Sequence, residues 1–469
     1  MKVYNFAIAL LIFVFSLSSE RLAGQDIPVP KNVIFFIGDG MGFNHVDATS
    51  IFKYGETGKL VFESPDWMRV AQATYPAIIK THPDTIFAEG YDPGQAWSDP
   101  EYLKQGFTDS GAAGTALSTG VKTYRSSIGI GIHGDTLLHL SQHAKNIGKS
   151  AGVITSVQLS HATPAGFAAN NAHRRNYEEI AQQMILQTQL DVLIGCGHPN
   201  FNDDARRTLK TDHRYVGGKQ LWRQLRQSDG NTTFRLNGND FIVADTDGNG
   251  EPTPWTLVTS ENEFADIANG KEIPQRLLGV PKVRSTLQFS RRGNDKTQPF
   301  QQPFNSNLPD LEMITVAAVN VLSQNPEGFF LMVEGGAIDW AAHDNNSGRL
   351  IEEMYDFVKA VAAIVRWVET HSSWEETLLV VTSDHETGML FGPADDTSIM
   401  QPVENRGKGV LPGMQWHSND HTNMLVPVYV RGAGSEKYRL LATQYDPLKG
   451  PYLQNTDIPN AIFRLWGRE

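Results

Sequence analysis

Cysteine is almost absent from this chain. Cys196 is the single thiol among 469 residues, so no disulfide can form within the chain. Stability must come from a buried core and from any bound ions. Leu193, Ile194, Gly195 and Gly197 around it suggest a strand end, where a small thiol is buried rather than reactive. A positive balance is also missing. The formal charge is −12, which argues against duplex nucleic acid as a partner, since phosphate backbones are bound by basic patches. A small phosphate ligand stays open, because bound cations reverse the local sign. Long apolar runs are confined to the amino terminus, where residues 6–17 follow Lys2 and precede Ser18, Ser19, Ala23 and Gly24. A basic start, a short apolar segment and small residues describe a secretory leader, too short for the about 20 residues that cross a bilayer. The expectation is a leader over residues 1–24 and an exported protein, periplasmic or secreted, with no membrane anchor. The sequence holds no Cys- or Ser-x-Pro-x-Arg sulfatase segment and no internal repeat.

What remains is the composition of a globular protein, 40% apolar and 20% charged. Short β-branched or aromatic runs bounded by glycine or polar residues predict buried strands over 32–37, 151–157, 191–194, 329–333, 377–382 and 425–430. Helical patterns lie between them, over 136–147, 177–189, 311–323 and 349–370. The alternation predicts a doubly wound α/β fold with a mostly parallel central sheet flanked by helices. One catalytic domain would span 25–469, with a polar insertion or cap over 199–310 and an irregular stretch over 75–106 that overhangs the site. In such sheets ligands bind beyond the carboxyl ends of the strands. Asp39, Thr163, Glu334 and Asp384 all follow a predicted strand in that way.

The acidic and imidazole residues are grouped. Asp39 stands in Gly38-Asp39-Gly40-Met41-Gly42, where glycine lets the backbone come close to a ligand; alone it reads equally as a helix cap. Asp339 and His343 are four apart, so one helical turn brings them to one face, as metal ligands or as an ion pair. Asp384 and His385 end a strand-like run and suit a turn. His421 and His417 are again four apart, and either can serve as a ligand. Ser110 lies in Asp109-Ser110-Gly111-Ala112-Ala113-Gly114-Thr115, where small neighbours leave a hydroxyl open at the start of a helix. Nitrogen and oxygen donors from several strand ends around one serine point to metal-assisted hydrolysis, because a serine needs a base or a metal to become a nucleophile. Asp245, Asp247 and Asn249 resemble the start of a calcium loop, but position twelve is Thr256, and a polar turn reads as well.

These segments, with His161-Ala162-Thr163-Pro164-Ala165, Val333-Glu334-Gly335-Gly336-x-Ile338-Asp339 and Ser383-Asp384-His385-Glu386-Thr387, resemble the alkaline phosphatase family in order and approximate spacing. The resemblance runs from about Lys31 to the carboxyl terminus outside the polar insertion. It implies a phosphomonoesterase with two zinc ions and one magnesium, working through a phosphoserine at Ser110, commonly as a homodimer. Carried over by position, Asp339, His343 and His421 hold the first zinc. Asp384, His385, Asp39 and Ser110 hold the second, and Asp39, Thr163 and Glu334 hold magnesium. Arg174 becomes the phosphate-binding arginine, oriented by Asp109, with Arg175 adjacent as the alternative. Two positions depart from better-known members. His161 stands where certain bacterial members carry aspartate, which opens the third site to zinc as well as magnesium. Trp340 stands where a lysine or histidine is common, which removes a positive charge beside the phosphate. The rivals are a phosphodiesterase on the same scaffold, and a metal- or phosphate-binding protein without turnover. A full ligand set joined to a nucleophile weighs against the second.

Overall fold

The structure is a computed structural model that describes residues 28–79, 86–88, 90–227, 230–293, 298–395 and 398–468. The expected leader over 1–24 lies outside the described residues. The main sheet has eleven strands. In chain order they are β1 (Asn32–Gly38), β2 (Met68–Ala73), β3 (Ser150–Gln158), β4 (Val192–Cys196), β5 (Thr256–Val258), β6 (Leu277–Gly279), β7 (Phe329–Gly335), β8 (Thr377–Thr382), β9 (Val426–Gly432), β10 (Gln444–Asp446) and β11 (Gly450–Gln454). Their spatial order is β10-β11-β2-β9-β8-β1-β7-β3-β4-β6-β5.

From β8 to β5 every neighbouring pair is parallel. Both faces of this part are covered, which explains why its strands read as unbroken apolar runs. Along β1, Ile34 and Phe36 enter one core with Leu331, Val333, Leu379 and Val381. Val33, Phe35 and Ile37 enter the other with Phe330, Met332, Leu378 and Val380. Alternation across a pleat sends successive side chains to opposite layers, so one strand serves two cores. The α/β architecture expected from the sequence, a mostly parallel central sheet flanked by helices, is present.

Two details differ from the sequence reading. The 425–430 strand, observed as β9, pairs antiparallel with β8 and with β2. No helix separates β8 from β9 in the described chain, so the helical crossover that usually accompanies parallel pairing is missing here. The stretch over 199–310 also does more than cap the sheet. It supplies β5 and β6 to the sheet's edge, beside a helix over Gly218–Gln227 and a hairpin of Thr233–Leu236 with Asn239–Ile242. Three-residue strands show no periodicity, which is why they went unread. Arg276 ties them in: its buried guanidinium donates to the Leu190 carbonyl at 2.8 Å and the Thr253 carbonyl at 3.0 Å, and lies 3.8 Å from the Trp255 ring centre.

The helices that place the site are short. Ser110–Thr119 begins with the Asp109 carboxylate accepting from the Ala112 amide at 3.2 Å, an N-cap. Its small residues let it lie against Ala162–Gly166, where a Cβ on Gly166 would sit 2.9 Å from the Gly114 carbonyl carbon. The helix expected over 136–147 is confined to Leu140–Asn146, because Thr136 bridges to Ile130 in an extended segment. Among the described residues no helix is long and apolar enough to cross a membrane.

Candidate metal centre

Strand register sets the first ligands. Ile37, Glu334 and Thr382 stand side by side at the ends of β1, β7 and β8. The chain then turns over the sheet edge at Asp39 and at Asp384. Gly40 makes the first turn possible: its φ is +73°, and a Cβ there would sit 2.9 Å from the Asp339 Cα. Its amide donates to Asp384 Oδ1 at 3.1 Å, tying the two turns together.

Two donor groups result. In one, Asp339, His343 and His421 bring their ligand atoms together. His343 Nε2 lies 3.3 Å from Asp339 Oδ1 and 3.1 Å from His421 Nε2. Asp339 and His343 lie on the helix Ala337–His343, as their spacing predicts. In the other, Asp39, Asp384 and His385 converge. His385 Nε2 lies 3.2 Å from Asp384 Oδ2, 3.5 Å from Asp39 Oδ1 and 3.3 Å from Ser110 Oγ. The His385 and His421 rings stack with centres 3.6 Å apart, so the two groups share a wall. His343 Nδ1 faces the Asn419 carbonyl at 2.7 Å and His421 Nδ1 faces the Thr108 carbonyl at 2.8 Å. With Nδ1 donating to a carbonyl, each Nε2 carries the lone pair a metal needs.

The buried polar atoms test whether ions fit. Both Asp39 oxygens, Asp384 Oδ2, Glu334 Oε1 and the Thr163 hydroxyl are buried without a hydrogen-bond partner. Such atoms are rare in folded proteins and costly. Asp39, Thr163 and Glu334 supply oxygens alone, the chemistry of a magnesium site. The two histidine-bearing groups mix nitrogen and oxygen, which suits zinc. Electrostatics agrees. Burial, then the negative charges of Asp384, Asp339 and Glu334, pushes the Asp39 carboxyl well above its ordinary range. Burial and Asp339 push Asp384 up to about 8, and burial pushes Glu334 up to about 7. Burial opposes ionisation of Asp339 too, but the His343 hydrogen bond and the facing imidazoles hold it low. Without cations the carboxylates must take up protons; with cations they stay ionised.

Above these groups is a cleft of about 630 Å³ lined by Ser110, Asp109, Arg174, His161, Trp340 and His343 among others. Ser110 itself is buried at its floor. Arg174 Nη1 donates to Asp109 Oδ2 at 2.8 Å, while Asp109 Oδ1 accepts from the Ser126 amide at 2.9 Å. Burial raises the Asp109 pKa, but Arg174 and these bonds outweigh it and leave the carboxyl below its ordinary value. Arg174 is therefore the oriented arginine. Arg175 is exposed on the same rim.

His161 is half-buried, with its Nδ1 buried and unpartnered and its ring edge-on to Trp340 at 5.7 Å. Burial, then the Arg174 charge, lowers it to about 3, so it is a neutral imidazole. His421 is placed in the metal group and His417 is not; His417 packs 6.3 Å from Phe391. Asp245 is half-buried beside the exposed residues 247–250, and its two oxygens already accept from the Gly248 and Gly250 amides at 2.7 and 2.8 Å. These are bonds that a polar turn makes.

Two supporting residues escaped the sequence reading. The Thr155 hydroxyl in β3 donates to Glu334 Oε2 across the neighbouring strand. Its position inside a buried strand carries no local signal. The Thr387 hydroxyl donates to Asp339 Oδ1 at 2.6 Å and lies 3.2 Å from His385 Nδ1, linking both donor groups. The threonine of Ser383-Asp384-His385-Glu386-Thr387 was visible as part of a motif, without a role.

An open, largely parallel α/β sheet that gathers imidazoles, carboxylates and one serine at its strand ends belongs to the metal-dependent hydrolases. The comparisons narrow this: the chain belongs to the alkaline phosphatase family, whose model matches residues 30–443. Alkaline phosphatase 4 of Bacillus subtilis (strain 168) is 28% identical, over 94% of this chain and 90% of that protein. The Escherichia coli (strain K12) alkaline phosphatase is 27% identical, over 89% of this chain and 84% of its own. The fold is that of the alkaline phosphatase of the Antarctic bacterium TAB5, with a TM-score of 0.59, 23% identity, and coverage of 95% of this chain and 100% of that one. A mutant of that enzyme, with a TM-score of 0.60 and 22% identity, covering 95% of this chain and all (100%) of its own, is described with Mg bound in the M3 site. The chain is thus a phosphatase of a metal-dependent family.

Proposed function

We propose that this chain is an exported hydrolase of phosphate monoesters that passes through a phosphoserine at Ser110. In this reading two zinc ions lie in the histidine-bearing groups, and magnesium lies at Asp39, Thr163 and Glu334. The observation that carries it is Ser110 Oγ at 3.3 Å from His385 Nε2, in a cleft that also holds an oriented arginine. When bound, the ions supply positive charge that lowers the pKa of coordinated oxygens and offsets charge on the attacking and leaving atoms. Ser110 attacks phosphorus and the ester oxygen leaves as alcohol; water then cleaves the phosphoserine to release inorganic phosphate and restore the hydroxyl.

Arg174 presents a planar fork to two non-bridging oxygens, and Asp109 holds it in that orientation. A diester has one charged oxygen fewer for this clamp, which favours monoesters. Thr387 and Thr155 fix the carboxylates from behind. The unpartnered Nδ1 of His161 makes zinc the competitor for magnesium at the third position.

The reading is tested on zinc- and magnesium-loaded protein. Acid quenching during turnover of a labelled monoester should leave phosphate on the peptide that contains Ser110. Ser110→Ala should lose the label and lower kcat about 10³-fold or more. Label on another residue, or undiminished phosphate release by the variant, overturns the assignment.

A further inference from the structure

Arg125 lines the same cleft as Ser110 and has no place in the mechanism above. Its side chain is exposed. Its guanidinium lies 4.7 Å from the centre of the Phe107 ring, and among the described residues it makes no ion pair. The Phe107 ring in turn meets the His421 ring edge-on at 6.0 Å. Arg125 is thus propped, through one aromatic face, beside the Asp339, His343 and His421 group. The backbone fixes its position. Ser126 adopts φ 73°, its amide donates to Asp109 Oδ1 at 2.9 Å, and its carbonyl accepts from the Arg174 amide at 2.8 Å. Arg125 therefore precedes a turn anchored to the residues that orient the phosphate-binding arginine.

The two arginines differ in what holds them. Asp109 neutralises and aims Arg174. Arg125 keeps a free charge above an aromatic face, a weakly hydrated cation ready for an anion. Asp344 and Asp420 line the cleft near His343 and His421, so a cation among these acids also lessens repulsion of an incoming anion. Trp340 and Phe289 complete the wall with apolar surface, their rings edge-on at 6.2 Å. A neutral leaving group has no use for an unpaired arginine on that wall.

We propose that Arg125 is a specificity-determining residue that pairs with an anionic group on the leaving alcohol, so the cleft favours phosphate monoesters carrying a second negative charge. This rests on the phosphomonoesterase reading above.

The test compares 4-carboxyphenyl phosphate with 4-carbamoylphenyl phosphate, near-equal in size and differing in one charge. For the metal-loaded wild type the ratio of kcat/KM, acid over amide, should exceed one and fall as salt is raised. Arg125→Gln should lower that ratio about fivefold, mostly through KM for the acid, and Arg125→Lys should restore part of it. An unchanged ratio in Arg125→Gln, or a wild-type ratio of one at low salt, overturns the proposal. Failure of the wild type to hydrolyse either ester overturns the parent reading, and this one with it.

Discussion

Trp340 shows what a single side chain decides at this site. It follows Asp339 directly and is held between His161 at 5.7 Å and Phe289 at 6.2 Å, both ring to ring. An indole brings no positive charge to the cleft, so in the proposed reading the phosphate dianion depends on Arg174 and on the ions. Trp340→Lys should tighten competitive inhibition by inorganic phosphate by about threefold or more, the size of one partly exposed charge pair. An inhibition constant that does not move would show that the position does not see phosphate. Asp39, Glu334 and Asp384 were legible because each ends or follows an apolar strand, and Asp339 with His343 because four residues separate them on one helix. Choices between neighbours came from the family resemblance, which picked Arg174 and His421, and not from local pattern. Arg174 and Arg175 differ only in which of them meets Asp109, and His417 and His421 only in which turns inward. Thr155 was hidden for the opposite reason: a hydroxyl in a buried strand acquires its role from register with Glu334.

The elements behind the site carry their own buried charge. The long helix Ser347–His371 buries Arg349, Glu352 and Glu353, and Glu352 pairs with Arg291 at 2.7 Å and Arg349 at 2.8 Å. Glu353 sits beside this network. Burial, then the Asp356 charge, pushes it up to about 8 against an ordinary 4.5. A carboxyl with a raised folded-state pKa keeps its proton in the native state while the unfolded chain releases it. Between pH 4.5 and about 8 this group therefore makes stability fall as pH rises. Glu353→Gln should remove that loss. Its melting temperature relative to wild type, both metal-loaded, should gain a few degrees at pH about 9 and distinctly less at pH about 5. An equal gain at both pH values would place the effect elsewhere. Long elements such as this helix, and the apolar strands β1, β7 and β8, followed from periodicity to within a few residues. Short ones did not. The strands β5 and β6 exist because they continue the edge of β4, a tertiary cause that no local pattern carries.

Across the whole molecule, one acidic chain must receive an acidic substrate. Its charge is −12, and four of its buried acids, Asp39, Glu334, Asp339 and Asp384, stand where the proposed reading puts the ester. Only cations make that arrangement both stable and receptive: they ionise the carboxylates, occupy orphaned oxygens and turn the sign of the pocket. The sheet supports this by bringing β1, β7 and β8 together, so that residues hundreds of positions apart share one edge. The direct test is anomalous diffraction at the zinc edge from crystals grown with zinc and magnesium. The expected result is two zinc peaks about 4 Å apart, one among Asp339, His343 and His421 and the other among Asp39, Asp384 and His385. No peak at either group, or a single peak outside both, would contradict it.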